Sequence, residues 1–156
     1  MKKLITFALV CLLVLTGCNN EKQVSTYSFH GEHEAFTISN GSIILSEEEE
    51  VFHGGKLKTT QSGLFDEMDS YSTAFYTLIH GEQEILHSNT VIDQTDGSIT
   101  INWEEDDLGS ISSEAPFISS KFESMNELKE NLWFELKITY LNGEEKVYQI
   151  PLTFTE

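Results

Sequence analysis

The sequence has no arginine, only two cysteines and only two prolines. Each scarcity excludes something. Arginine is the side chain best suited to bidentate phosphate and carboxylate recognition. Its absence, with 26 acidic against 9 basic residues and a formal net charge of −17, argues against nucleic acid as a partner. The two cysteines are Cys11 and Cys18. Beyond residue 18 there is therefore no thiol nucleophile, no thiolate metal site and no disulfide, so the chain folds on its core alone. Gly-x-Ser-x-Gly and Ser-x-x-Lys are absent too, and nucleophilic hydrolysis has no recognisable starting point. No enzyme activity and no cofactor are expected.

Long hydrophobic runs are also scarce. The longest, Leu4 to Leu15, is broken by Thr6. It falls short of the roughly 20 apolar residues that a membrane-crossing helix needs. It follows the basic start Met1-Lys2-Lys3 and precedes Leu15-Thr16-Gly17-Cys18. A basic start, a short apolar core and small residues before a cut site mark a secretory signal peptide over residues 1–17.

Leu15-Thr16-Gly17-Cys18 resembles the lipobox of bacterial lipoproteins. The resemblance implies that the Cys18 thiol receives a diacylglyceryl group and that cleavage before Cys18 makes it the new N-terminus. It also implies a lipid anchor in the cell membrane, with the protein on the extracytoplasmic face. Two acyl chains together meet the requirement for stable anchoring, which one chain alone does not. Residues 18–23 then form a short tether, spanning at most about 22 Å at ~3.3–3.6 Å per residue. Losing Lys2 and Lys3 takes the remaining chain to about −19. Such a charge keeps a domain soluble and favours a cationic partner.

Residues 24–156 read as one β domain. Val24–Phe29 and Glu34–Ser39 are strand-like, and Asn40-Gly41 signals a tight hairpin into Ser42–Ser46. Glu47–Glu50 reads as solvated charge, and Gly54-Gly55 punctuates before a strand at Lys56–Thr60. Ser72–His80 is a long strand with Phe75, Thr77 and Ile79 on one face and Tyr76 and Leu78 on the other. Short strands are expected at Glu84–His87 and Thr90–Asp93, and a half-buried one at Ser98–Trp103. Glu104–Ser120 reads as a loop with a possible short strand near Ile118. Ser124-Met125-Asn126-Glu127 fits a capping box that starts a short helix, so the one helix falls near residues 124–131. Trp133–Leu141 alternates, Asn142-Gly143 is a second hairpin signal, and Glu144–Phe154 returns. Pro151 lacks an N–H donor and places that last strand at an edge or a bulge. The pattern predicts an all-β fold: an antiparallel β-sandwich, immunoglobulin-like, with at most one short helix.

Few residues suggest chemistry. His30, Glu32 and His33 combine imidazole and carboxylate, the donors that Zn²⁺ prefers, although HExxH spacing is absent. They form the alternative reading, a metal- or small-ligand-binding protein. His53, His80 and His87 read as exposed turn histidines. The acidic runs Glu47–Glu50 and Glu104–Asp107 lack the spacing of a calcium loop and read as solvated faces. Trp133 opposes the apolar face of its own strand, which makes it the candidate for a binding surface.

Tyr27-Ser28-Phe29-His30-Gly31-Glu32, with Phe36 four residues on, resembles the start of the mature domain in small lipoproteins of Gram-positive bacteria of the Bacillus group. That likeness implies no activity. The leading expectation is a lipid-tethered binding module that engages an envelope protein or another cationic partner. One form of it is an acidic inhibitor that protects against a basic enzyme.

Overall fold

The computed structural model describes residues 24–79, 81–92 and 105–155. The leader, Cys18, the tether, His80 and the expected strand at 98–103 lie outside them. In chain order the elements are β1 (Ser25–Glu32), β2 (Phe36–Leu45), β3 (Glu50–His53), β4 (Lys56–Thr59) and β5 (Met68–Ile79). Then come β6 (Glu82–Ile92), β7 (Asp106–Asp107), β8 (Ser110–Ser113) and the helix α1 (Met125–Asn131). The chain ends in β9 (Leu132–Tyr140), β10 (Glu145–Pro151) and β11 (Thr153–Thr155).

The strands form two antiparallel sheets. Sheet A runs β11-β1-β2-β3-β8, with β4 continuing beside β2 and β7 beside β4. Sheet B runs β10-β9-β5-β6. The expected sandwich is present at the level of layers, with this strand order. Chain ends are shared between layers: β10 edges sheet B, Leu152 donates its N–H to the Leu132 carbonyl at 2.9 Å, and β11 then joins β1 in sheet A. Pro151 therefore lies on an edge strand, where its missing N–H costs no ladder bond.

Phenylalanines fill the space between the layers. Phe29 packs on Phe52 with ring centroids 5.6 Å apart, Phe52 on Phe75 at 5.0 Å, and Phe75 on Phe134 at 5.0 Å. Offset and edge-on pairs of this kind add to the burial energy of each ring. Aliphatic residues such as Ile38, Ile43, Leu136 and Ile138 complete the core.

Asn40-Gly41 does not make a hairpin. It lies inside β2, where Asn40 has φ 58° and the β1 register slips between Phe29 and Gly31. This is a β-bulge, with two residues of β2 opposing one of β1. The reason is visible in the apolar phase. Phe36 and Ile38 are even-numbered, whereas Ile43 is odd, and all three are buried. One extra residue lets both halves of β2 face the core, because side chains alternate with a period of two. The next strand position breaks at the same level: β3 pairs with Ser42–Leu45, β4 with Phe36–Ser39, and Gly54-Gly55 lie between. Leu108-Gly109 separate β7 from β8 in the same way, with Gly54 N–H donating to Gly109 O and Leu108 N–H to Gly55 O. Sheet A is thus creased along one line across its strands.

Other expectations change in detail. β1 runs through Gly31 to Glu32, past the end expected at Phe29. The two short strands expected between Glu84 and Asp93 are one strand, β6, bulged opposite Phe75 and Tyr76. The segment read as a loop after Glu104 contains β7 and β8, and Ile118 is fully buried outside any strand. The helix forms where the capping box predicts, with Ser124 Oγ accepting from Glu127 N–H at 3.4 Å. The reciprocal bond goes one residue further back than in the standard box, to Glu123 N–H at 2.9 Å.

Candidate functional site

Trp133 is the second residue of β9, and its neighbours follow from strand register. It pairs with Pro151 of β10 on one side and with Tyr76 of β5 on the other. Tyr76 in turn pairs with Ile85 of β6. Phe75 and Phe134, the adjacent pair, point into the core. Side chains alternate between faces, so Pro151, Trp133, Tyr76 and Ile85 form one row on the outer face of sheet B. Ile85 is 54% exposed and Leu78, one step along the same face of β5, is 38% exposed. Trp133 is half-buried, while Tyr76 is packed down to 3% exposure at the middle of the row. Burial, with Glu135 as a lesser cause, holds the Tyr76 phenol above its usual pKa, so it stays a neutral hydroxyl.

Polar pairs flank the row. Gln149 donates to Glu135 at 2.7 Å, and Lys137 pairs with Glu145 at 2.8 Å, both between β9 and β10. Val147, 52% exposed, lies beside Lys137. The face is therefore an apolar stripe across four strands with a charged margin. Sequence reasoning found Trp133 and noted Tyr76 and Leu78 on a shared face. It missed Ile85, because the bulge in β6 sets which of its residues faces outward.

The candidate metal ligands are not assembled. His30 is on β1 beside a shallow groove that includes Ser28, Asn40 and Thr155. Glu32 is exposed at the end of β1. His33 stacks on Phe36 at 5.1 Å, and its Nδ1 accepts the Ala35 N–H at 3.1 Å. Among the described residues no three His, Cys, Asp or Glu side chains converge as a metal site. His33 is thus engaged in shaping the β1–β2 turn.

Two other readings are corrected. His87 is not a turn residue. It sits inside β6, packs near Phe75 and Phe52, and its Nε2 lies 3.0 Å from the Leu108 carbonyl. The acidic runs are not uniformly solvated. Glu47, Glu48 and Glu49 are exposed, but Glu50 is 5% exposed and heavily hydrogen-bonded. In the second run Asp106 accepts the Tyr71 hydroxyl at 2.7 Å, Asp107 accepts Gly109 N–H at 2.7 Å, and Glu105 pairs with Lys56. Burial and then Asp106 push the Tyr71 phenol far above its usual range, so it remains a donor.

Exposed carboxylates occur on every side: Glu32 and Glu34 at one end, Glu47–Glu49 and Glu114 at the other, Glu82 on β6 and Glu144 and Glu145 on the β9–β10 hairpin. Among the described residues no helix is long and apolar enough to cross a membrane. The chain matches no family model, no curated protein and no solved structure.

Proposed function

We propose that the protein is a membrane-anchored extracytoplasmic lipoprotein that works by binding, with diacylglyceryl on Cys18 as its anchor and the outer face of sheet B around Trp133 as its contact surface. The observation that carries the binding reading is the row Pro151–Trp133–Tyr76–Ile85, apolar across all four strands of the sheet and partly open to solvent. Aromatic residues held on rigid strands lose little entropy on binding and act as interface anchors. The leader and the Leu15-Thr16-Gly17-Cys18 motif support the anchor.

The partner's chemistry follows from the margin of this face and from net charge. A formal charge of −17 disfavours an anionic surface and favours an envelope protein that is cationic around an apolar centre. Because carboxylates are spread over the domain, charge speeds encounter without choosing a face, and the apolar row does the choosing. An acidic inhibitor of a basic enzyme is one form of this reading.

Crosslinking in intact cells followed by pull-down tests it. An envelope protein captured by the natural chain should be lost with Trp133→Ala and with Ile85→Asp. Equal capture by all three chains would remove sheet B from the reading. The anchor has its own test: Cys18→Ala should leave unprocessed precursor, and unchanged processing and membrane retention refute lipidation there.

A further inference from the structure

Glu50 opens β3, and its carboxylate does not point into solvent. It accepts the N–H of Phe117 at 2.7 Å, of Ile118 at 2.7 Å and of Ser119 at 3.2 Å, together with the Ser119 hydroxyl. Consecutive amides that converge on one carboxylate form an anion nest, here filled from within the chain. The donors belong to residues 114–124, which run from β8 at one edge of sheet A to α1 and so into sheet B. This segment has no strand ladder of its own. Its internal bonds are short-range: Lys121 N–H to Ile118 O at 3.0 Å and the Ser120 hydroxyl to Pro116 O at 2.9 Å.

The segment is held at both ends. At one end β8 pairs with β3. At the other, Leu128 of α1 is fully buried, and Lys129 Nζ lies 5.1 Å from the Tyr27 ring and 6.0 Å from that of Phe154. Between those ends it is secured by Ile118, which is seated in the core, by the Glu50 carboxylate, and by the Lys121–Glu84 ion pair. The ion pair is partly exposed, and such pairs contribute little. The buried charged contact is the stronger tie.

We propose that residues 114–124 are a strap that acid releases from the domain as a unit, with the Glu50 carboxylate as its catch. Protonation leaves a neutral acid with one O–H among N–H donors and removes the charge that strengthens each bond. Release withdraws Ile118 from its seat and bares the half-buried Phe117 and Phe122 beside it. Other ionisable groups around the catch are Glu47, Glu48 and Glu49 on the turn before β3, and Glu114, Lys121 and Glu123 on the strap. His53 lies farther along β3, Glu84 on β6 pairs with Lys121, and Glu127, Lys129 and Glu130 follow on α1, while β2 and β8 contribute none. Burial pushes Glu50 up, but the Ser119 hydroxyl and the Ile118, Phe117 and Ser119 amides outweigh it and hold the carboxyl below its ordinary value. The catch is therefore fully closed above the ordinary carboxylate range and opens as pH falls through the lower, folded value.

Hydrogen exchange on the full chain in detergent, corrected for intrinsic rates, tests this at pH 7 and near pH 3. Expected is a loss of protection at 117–119 on acidification while β5 and β9 keep theirs. Glu50→Gln should show the open strap already at pH 7 and no further acid change there. Ser119→Ala keeps all three amides and should move release to higher pH, which reads the catch even if Glu50→Gln does not fold. The proposal is overturned if strap and strands lose protection together in the natural chain. It is equally overturned if Ser119→Ala leaves the release pH unchanged.

Discussion

The Thr77 side chain is fully buried on the inner face of β5, and among the described residues its Oγ1 has no hydrogen-bond partner. A buried hydroxyl without a partner carries its desolvation cost uncompensated. Thr77→Val keeps the shape and removes the cost, so it should stabilise the domain by about 1 kcal/mol. A thermal melt should show the increase, and a lower Tm would mean that the hydroxyl has a role. Glu50 is the opposite case, a buried charge with all its bonds made. Glu50→Gln should cost on the order of 2–4 kcal/mol near neutral pH. The gap between natural chain and variant should close as pH falls below the ordinary carboxylate range, because the Glu50 contribution is lost there. Parallel denaturation curves at pH 7 and pH 3 check the sign. No spacing rule separates Glu50 from Glu47, Glu48 and Glu49. The amides that bury it come from residues 117–119, far along the chain.

At the scale of elements, the two Asn-Gly pairs had different outcomes. Asn142-Gly143 does turn β9 into β10, but with Gly143 alone at positive φ and its N–H donating to Tyr140 O at 2.8 Å. That is a longer loop than the two-residue turn with both central residues at positive φ. Asn40-Gly41 instead bulges β2. At Asn40-Gly41 a hairpin and a bulge would explain the same shift of apolar phase, and only the pairing of β2 with β1, β3 and β4 decides between them. The crease makes a quantitative contrast possible. At Gly143 a Cβ meets nothing within 4 Å, so Gly143→Ala bears only the backbone strain of φ +83° and should cost about 1 kcal/mol. At Gly55, φ +79°, a Cβ would lie 2.2 Å from the Ser39 carbonyl oxygen. Gly55→Ala therefore adds a backbone clash and should cost well over twice as much. Equal denaturation midpoints for the two variants would show that the crease is pliable.

At the scale of the whole molecule, the formal charge of −17 sets a background of self-repulsion. The ion pairs Lys56–Glu105 and Lys137–Glu145 are exposed and offset little of it. Raising salt from about 10 to 200 mM shortens the Debye length to roughly 7–8 Å and should raise Tm by a few degrees. A falling Tm would mean that specific ion pairs outweigh the net repulsion.

Local pattern by itself determined the layered all-β class, the alternating faces of β5 and β9 and the helix start at Ser124, and it narrowed Pro151 to an edge or a bulge. Each of these depends on residues a few positions apart, through side-chain period, capping chemistry or a missing N–H. The candidate contact row was half legible for the same reason: Trp133, Tyr76 and Leu78 follow from alternation within single strands. Tertiary structure alone decided the rest. The β6 bulge turned Ile85 outward, the sheet A crease made a bulge of Asn40-Gly41, and the strap buried Glu50. The reason is physical. A strand's own sequence fixes only which residues share a face. Which strand lies beside it, and which amides reach a given carboxylate, depends on pairings between residues far apart in the chain.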